Sequence, residues 1–241
     1  MKARLLELAG PRPTLGDRRT AMLDAAFEEI EADRRRTESG GLDVLDAGCG
    51  RRSPLFRYRG RIRRFAGADL HEPAPGEMAY LDAFVRADLC RDADAFPPRS
   101  VDLVLSNFTL EHFADPAAAV ANMALWLRPG GRLIVTTVNR RHPFVAAYLS
   151  LPARLRGALQ RLVRPTDAHL LVGACNDPRT VAVALRGAGL EAVRVETVGN
   201  LSRAWGRSWP SFLAGLLGDI AAAPFPSRRS TILAMGSAPA H

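Results

Sequence analysis

The fold of this chain is decided by the stretch Leu42-Asp43-Val44-Leu45-Asp46-Ala47-Gly48-Cys49-Gly50-Arg51-Arg52-Ser53-Pro54. Its first half is a short apolar run, which predicts a buried β-strand. Its second half holds two glycines, and glycine lets the chain turn tightly and brings bare backbone N–H groups close to a ligand. A strand that enters such a turn is typical of nucleotide-binding α/β folds, although the turn alone selects no single ligand.

Six further apolar runs predict six more strands, at residues 64–70, 83–89, 101–107, 132–138, 192–198 and 231–235. An amphipathic helix over residues 14–36 precedes the first strand, and two later helices begin at Asp115-Pro116 and Asp177-Pro178. In both pairs an N-cap residue is followed by proline at the first helical position. Strands that alternate with helices indicate βαβ units, so we predict an α/β fold with an open, doubly wound sheet.

Two segments, residues 139–176 and 199–229, are longer than the connections that a minimal sheet needs. Both carry apolar residues at helical spacing, and a basic amphipathic helix is predicted over residues 151–163 of the first. This segment leaves the carboxyl end of the fifth strand, the side on which open α/β sheets bind ligands. We expect the two helical insertions to form a cap over a substrate, with a homodimer contact or a peripheral membrane contact as alternatives.

The composition favours one domain over residues 1–241, with an N-terminal helical segment at 1–40. The net charge of +8 would suit nucleic acid or an anionic membrane, but Lys2 is the only lysine, and an arginine-rich chain of this kind is typical of GC-rich genomes. Charge therefore selects no partner, and nucleic acid is not expected. Neither the three cysteines nor the five histidines are spaced as metal ligands, so no metal is expected. No signal peptide or membrane span is apparent, and we expect a cytoplasmic protein.

Polar residues follow the first four strands in a fixed order. They are Asp46-Ala47-Gly48-Cys49-Gly50, then Asp69-Leu70, then Asp88-Leu89, then Ser106-Asn107-Phe108-Thr109-Leu110-Glu111-His112. In this order the chain resembles the class I S-adenosylmethionine-dependent methyltransferases, from about residue 43 to residue 138 and more weakly to 198. The resemblance implies a Rossmann-like, seven-stranded, mostly parallel sheet with an antiparallel last strand, and S-adenosylmethionine as the cofactor.

The resemblance also implies a role for each motif, and elementary chemistry supports it. A carboxylate at Asp46 and the turn through Gly50 suit the methionine end of the cofactor, because a carboxylate can accept from an ammonium group. Asp69 suits the ribose hydroxyls, and Asp88 with the N–H of Leu89 suits the adenine edge. Ser106 and Asn107 are expected beside them. Arg52 stands where the family often has a third glycine.

His112 is the candidate catalytic residue, as a general base. Transfer from a sulfonium is an in-line displacement with an activated leaving group, so much of the catalysis can come from alignment and dehydration. A base is needed only when the nucleophile is a weakly acidic hydroxyl. Glu111 either orients His112 or caps the next turn.

The acceptor is predicted from weaker signals. The Asp/Asn-Pro-Pro-aromatic motif associated with amino methylation of planar bases is absent after the fourth strand. That absence narrows the field. The segment after the fifth strand, residues 144–163 with 165–170 and 176–179, resembles methyltransferases found with glycan- or lipid-assembly enzymes. The resemblance implies O-methylation of a small-molecule or lipid/glycan-linked acceptor, with an RNA methyltransferase and a non-catalytic S-adenosylmethionine-binding protein as alternatives. A nicotinamide-dependent reductase is disfavoured, because Ser53 replaces the third glycine of its fingerprint and no Tyr-x-x-x-Lys pair exists.

Overall fold

A computed structural model describes residues 1–2, 13–34, 40–50, 53–72, 74, 76–77, 79–152, 154–158, 176–206 and 208–240. Its seven strands form one sheet in the order β3-β2-β1-β4-β5-β7-β6. The strands are β1 Leu42–Ala47, β2 Ile62–Asp69, β3 Ala83–Arg86, β4 Val101–Asn107, β5 Leu127–Val138, β6 Glu191–Val198 and β7 Thr231–Ser237. β7 runs antiparallel to both of its neighbours, β5 and β6, and the other pairs are parallel. This confirms the predicted fold class.

Helices flank the sheet. They are α1 Leu15–Arg34, α2 Pro116–Trp126, α3 Pro143–Ser150, α4 Pro178–Gly187, α5 Leu201–Ala204 and α6 Trp209–Ala222. Short 3-10 helices lie at Pro54–Arg61, Ala93–Ala95, Leu110–His112 and Pro226–Arg228. The two predicted helix starts are confirmed, since the Asp115 side chain accepts from the N–H of Ala118 and that of Asp177 from the N–H of Arg179. These bonds satisfy N–H groups that the first helical turn leaves without a partner.

Successive side chains of each central strand point to opposite faces of the sheet. On β1, Leu45 and Ala47 join a core covered by α2 and α4, whereas Leu42 and Val44 join a second core covered by α1. The same alternation on β4 places Leu105 on the α1 side. Asp46 and Asn107, each two residues further along its strand, therefore belong to the face that α1 covers.

Strand β5 begins five residues earlier than predicted. Leu127 already pairs with Val101, and the next described pair on this side is Arg132 with Leu103, so the register shifts across Pro129-Gly130-Gly131. The prediction began the strand only at residue 132, after these residues. A Cβ on Gly131 would lie 2.9 Å from the carbonyl oxygen of Asp102, so only glycine lets the irregular stretch stay against β4. β3, by contrast, is shorter than predicted. It ends at Arg86, before the turn at Asp88.

The described parts of the insertions after β5 and β6 contain helices, and α3 of the first insertion contacts α6 of the second. Asp219 of α6 accepts from the N–H groups of Leu201 at 3.1 Å and Ser202 at 2.8 Å on α5. A Cβ on Gly218 would lie 3.0 Å from Cε1 of the buried His142, which caps α3. The predicted basic helix over 151–163 is helical at its described residues 154–158, whereas residues 153 and 159–163 lie outside the described residues, as does Arg52.

Among the described helices, none combines the length and apolarity that a membrane crossing requires.

Candidate active site

Asp46 lies at the carboxyl end of β1, where the sheet alternation turns it toward the α1 side. Its side chain is 1% exposed, and among the described residues neither carboxylate oxygen has a hydrogen-bond partner. Burial raises the pKa of Asp46 to about 7, and the charge of Asp69 adds to this, while the Ser53 hydroxyl and the Arg19 guanidinium act in the opposite direction. A buried carboxylate without a donor is costly, so the site is built for a cationic or hydrogen-bonding ligand group.

The turn after β1 brings the backbone close to its neighbours. Gly48 has a φ of +79°, and a Cβ at this position would overlap the side chain of Thr109. Gly50 also has a positive φ, +50°, but a Cβ there would meet open space. Both glycines therefore supply backbone freedom, and Gly48 also makes room for the segment that follows β4.

Asp69 ends β2, directly beside this turn. Its Oδ2 accepts from the N–H of Gly50 at 3.1 Å, and its Oδ1 accepts from the N–H of His71 at 3.1 Å. Each oxygen of an ionised carboxylate has further acceptor capacity after one such bond. The two backbone bonds thus orient the carboxylate and leave it able to accept from hydroxyl groups.

Asp88 lies in the turn after β3 and caps it. Its Oδ1 accepts from the N–H of Cys90 at 3.0 Å, and its other oxygen lies 3.7 Å from Arg91 Nε. Leu89 is 3% exposed, and its carbonyl accepts from the Asn122 side chain at 3.0 Å. These contacts hold Asp88 and Leu89 at the wall of the same cavity as Asp46.

That cavity has a volume of about 760 Å³ and lies beyond the carboxyl ends of β1, β2 and β4. It brings together ten of the twelve predicted site residues, which are Asp46, Gly48, Cys49, Gly50, Asp69, Leu70, Asp88, Leu89, Asn107 and His112. Ala47 and Ser106 do not line it. Both are buried. Each is next in its strand to a residue that faces the cavity, and successive side chains of a strand point to opposite faces, so Ala47 and Ser106 point away from the cavity.

Arg19 of α1 is a residue that the sequence prediction missed. Its Nη1 donates to Asn107 Oδ1 at 2.7 Å, and its charge acts on Asp46. Burial lowers the pKa of Arg19, while Asp46 acts to raise it. A signal was present, because Arg19 interrupts the apolar stripe of α1 between the buried Leu15 and Met22.

A second cavity of about 740 Å³ lies against the first. Helices α1, α3, α5 and α6 supply most of its wall, with Arg19, Phe144, Tyr148, Trp205 and Ala214 among its lining residues. The rings of Phe144 and Trp205 stack with their centroids 6.3 Å apart. The wall is thus largely apolar and aromatic, with two cations in it, Arg19 and Arg203.

Phe108 and His112 line both cavities. Phe108 has a φ of +57°, a left-handed conformation that is strained for a bulky residue, and its N–H donates to the carbonyl of Thr136 at 2.8 Å. Glu111, from the same segment, is 2% exposed, and its Oε2 accepts from the Thr137 hydroxyl at 2.8 Å. The segment after β4 therefore forms the partition between the two cavities.

The described residues hold no group of three or more histidine, cysteine, aspartate or glutamate side chains that could bind a metal ion.

Comparison with known proteins gives a consistent picture. A family model described as "Methyltransferase domain" matches residues 4–195. The ubiquinone biosynthesis O-methyltransferase of Cupriavidus pinatubonensis is 31% identical over 166 residues, which are 64% of this chain and 62% of that protein. The nocamycin O-methyltransferase of Saccharothrix syringae is 33% identical over 172 residues, 64% of this chain and 61% of that protein. The chain thus spans about three fifths of the length of these two relatives.

Among solved structures, the phosphoethanolamine N-methyltransferase 2 of Haemonchus contortus in complex with S-adenosyl-L-methionine superposes with a TM-score of 0.56. It is 16% identical, and the match covers 88% of this chain and 52% of that one. At this identity the likeness shows a shared fold.

Proposed function

The chain belongs to the methyltransferase domain family, and on that premise we propose that it transfers a methyl group from S-adenosylmethionine to an oxygen atom of a small-molecule or lipid/glycan-linked acceptor. One observation carries the proposal. A cavity with the three carboxylates Asp46, Asp69 and Asp88 and a second cavity walled by α1 and the insertions meet at Phe108 and His112. Two substrates held on either side of this partition would bring their reacting groups together.

The residues of the first cavity fit S-adenosylmethionine. The unpartnered carboxylate of Asp46 suits the ammonium of the methionine arm. Arg19 lines the second cavity and donates to Asn107 of the first, so its guanidinium would lie at the boundary, where it suits the carboxylate of that arm. Asp69 would accept from the ribose hydroxyls, and Asp88 with Leu89 would hold the adenine. When bound, the cofactor supplies a sulfonium-activated methyl group for in-line displacement.

The protein's own contribution is alignment, dehydration and control of one proton. The apolar walls of the second cavity would exclude water from the acceptor, which favours a displacement that disperses charge. His112 lines both cavities and would take the proton of an acceptor hydroxyl. The strained backbone of Phe108 suits a position whose ring must lie between the two substrates.

The character of the second cavity supports an acceptor with an apolar body. Phe144, Tyr148 and Trp205 offer aromatic surface, and Leu201 and Val145 add aliphatic surface. Relatives named as O-methyltransferases of ubiquinone biosynthesis and of nocamycin support oxygen as the methylated atom. A volume of about 740 Å³ is in the range of small-molecule sites and suits one ring system better than a nucleic-acid duplex.

Mass spectrometry tests the proposal directly. The purified chain is incubated with S-adenosylmethionine that carries a deuterated methyl group and with matched pairs of aromatic acceptors, one with a hydroxyl and one with an amine at the same position. We expect the labelled methyl on the hydroxyl acceptors. Transfer to amines alone would contradict O-methylation, and calorimetric binding of the cofactor without transfer to any acceptor would favour the non-catalytic alternative.

A further inference from the structure

Helix α6 has an exposed apolar stripe. Trp209, Leu213, Leu217 and Ile220 lie at intervals of four, four and three residues, which places them on one side of the helix. Their exposed fractions run from 39% for Trp209 to 64% for Leu217. Exposed large apolar side chains are unremarkable singly, but a contiguous stripe on one helix marks a contact surface.

The remaining sides of α6 are occupied by the protein itself. A Cβ on Gly215 would lie 2.8 Å from the backbone of Ser202, so this side of α6 rests directly on α5. Gly218 faces His142 and Phe144 in the same close manner. Asp219, the single charged residue within α6, is turned inward and accepts from the N–H of Ser202 at 2.8 Å. The exposed stripe is therefore free of charge along its length.

Cations lie at both ends of the stripe. At its beginning, Lys2 Nζ sits 5.1 Å from the ring centroid of Trp209 and donates to the carbonyl of Gly206 at 2.6 Å. Beyond its end, the Arg228 guanidinium lies 5.3 Å from the ring of Phe225, which is 53% exposed. Helix α6 has no basic residue of its own, so the cations come from the flanking segments. An uncharged apolar face with cations near its ends suits an anionic bilayer, because apolar side chains enter the interface and cations meet the headgroups.

We propose that α6 docks this protein on an anionic lipid bilayer, with the stripe of Trp209, Leu213, Leu217 and Ile220 in the interface and Lys2 and Arg228 on the headgroups. A second copy of the chain is the competing occupant. Pairing two stripes would place Lys2 of one copy beside either Lys2 or Arg228 of the other, depending on orientation, and like charges repel. Phosphate headgroups complement both ends at once.

The docking would also bear on the second cavity. Ser211 and Ala214 of the same helix line that cavity. Docking through α6 would place the lipid surface one helix away from the acceptor cavity, so the distance for a lipid-linked acceptor to reach that cavity would be short. The docking itself does not depend on the proposed methyl transfer and is tested by a different measurement.

Co-sedimentation with vesicles tests the proposal. Wild-type protein is mixed with vesicles of phosphatidylcholine alone or with about one third phosphatidylglycerol. We expect binding to the anionic vesicles, weakened by salt, and little binding to the neutral ones. The double variant Leu213→Ser/Leu217→Ser should bind the anionic vesicles about tenfold more weakly, because two side chains no longer enter the interface. Val183→Ser, which removes a 67% exposed apolar side chain from α4, is the matched control and should bind like the wild type.

A second readout keeps the result independent of sedimentation. Brominated phospholipids should quench the tryptophan fluorescence of the wild type, and Trp209→Phe should lose most of that quenching. Equal binding to neutral and anionic vesicles, or an equal loss in Val183→Ser, would overturn the proposal. So would a dimer in light scattering that the Leu213→Ser/Leu217→Ser variant abolishes while its vesicle binding stays unchanged.

Discussion

Thr109 occupies the space that a side chain on Gly48 would need, so the turn after β1 and the segment after β4 are in direct backbone-to-side-chain contact. The Thr109 hydroxyl also lies 3.4 Å from the carbonyl oxygen of Gly48 and 3.5 Å from that of Ala47. The contact joins the first cavity, proposed to hold the cofactor, to the partition formed by Phe108 and His112. A substitution that shifts the turn after β1 is therefore expected to shift the segment that holds Phe108 and His112 as well.

Gly48→Ala should destabilise the protein and weaken cofactor binding, because the new Cβ is strained at a φ of +79° and overlaps Thr109. We expect a loss of about 3 kcal/mol or more in the free energy of unfolding. Gly50→Ala is the matched control, since it has the positive φ but open space around it, and should cost about 1 to 2 kcal/mol. Urea unfolding measures both, and equal losses would contradict the role assigned to Thr109.

Asp46→Asn should change how stability depends on pH. The pKa of Asp46 is about 7 in the fold against an ordinary value of 3.8, so the folded state holds this proton more tightly than the unfolded state. Relative to Asp46→Asn, the wild type should be most stable below pH 4 and lose up to roughly 4 kcal/mol as the pH rises to 7, with no further change above.

Unfolding curves of both proteins at several pH values measure this difference, and taking the difference cancels the contributions of other groups. S-adenosylhomocysteine, which carries the same ammonium group, should reduce the slope in the wild type, because the ammonium stabilises the ionised carboxylate. A wild-type slope identical to that of Asp46→Asn would show that Asp46 is ionised in the free protein.

Arg19→Met should weaken the binding of S-adenosylmethionine by about tenfold, because a charge-assisted contact to the methionine arm and the bond to Asn107 are both lost. Arg18→Met is the matched control one residue away. Arg18 is exposed, and its Nη1 lies 3.8 Å from Glu196, a surface pair of little energetic weight. Titration calorimetry measures the affinity of both variants for S-adenosylmethionine. Equal losses of affinity in the two variants would indicate a general effect of charge and not a specific role for Arg19.

His112→Gln should lower kcat for a weakly acidic hydroxyl acceptor by about 100-fold or more, while the affinity for the cofactor stays close to that of the wild type. For phenols that are already ionised at the assay pH the loss should be much smaller, because no proton remains to be removed. Initial rates over a series of phenols of graded acidity check this. A uniform loss across the series would assign His112 to positioning.

Much of the fold could be predicted because it rests on local signals. The apolar runs identify the strands, and the Asp-Pro pairs identify the starts of α2 and α4. The residues that follow β1, β2 and β3 reach one cavity because parallel strands end at the same edge of the sheet. Their individual roles toward the cofactor stay predictions.

Other features depend on contacts between distant segments and could not be predicted. The early start of β5 depends on how Gly131 rests against Asp102. The left-handed backbone of Phe108 depends on its bond to Thr136, since no local signal sets a bulky residue at positive φ.

The sequence by itself determined the α/β class, the order of the motifs and the edge of the sheet at which they gather, because hydrophobic period and capping act over a few neighbouring residues. Only the tertiary structure decided that Arg19 reaches Asn107 across 88 positions of the chain, that a second cavity lies behind Phe108, and that one side of α6 faces outward. These outcomes depend on which helix covers which face of the sheet, and packing between elements decides that.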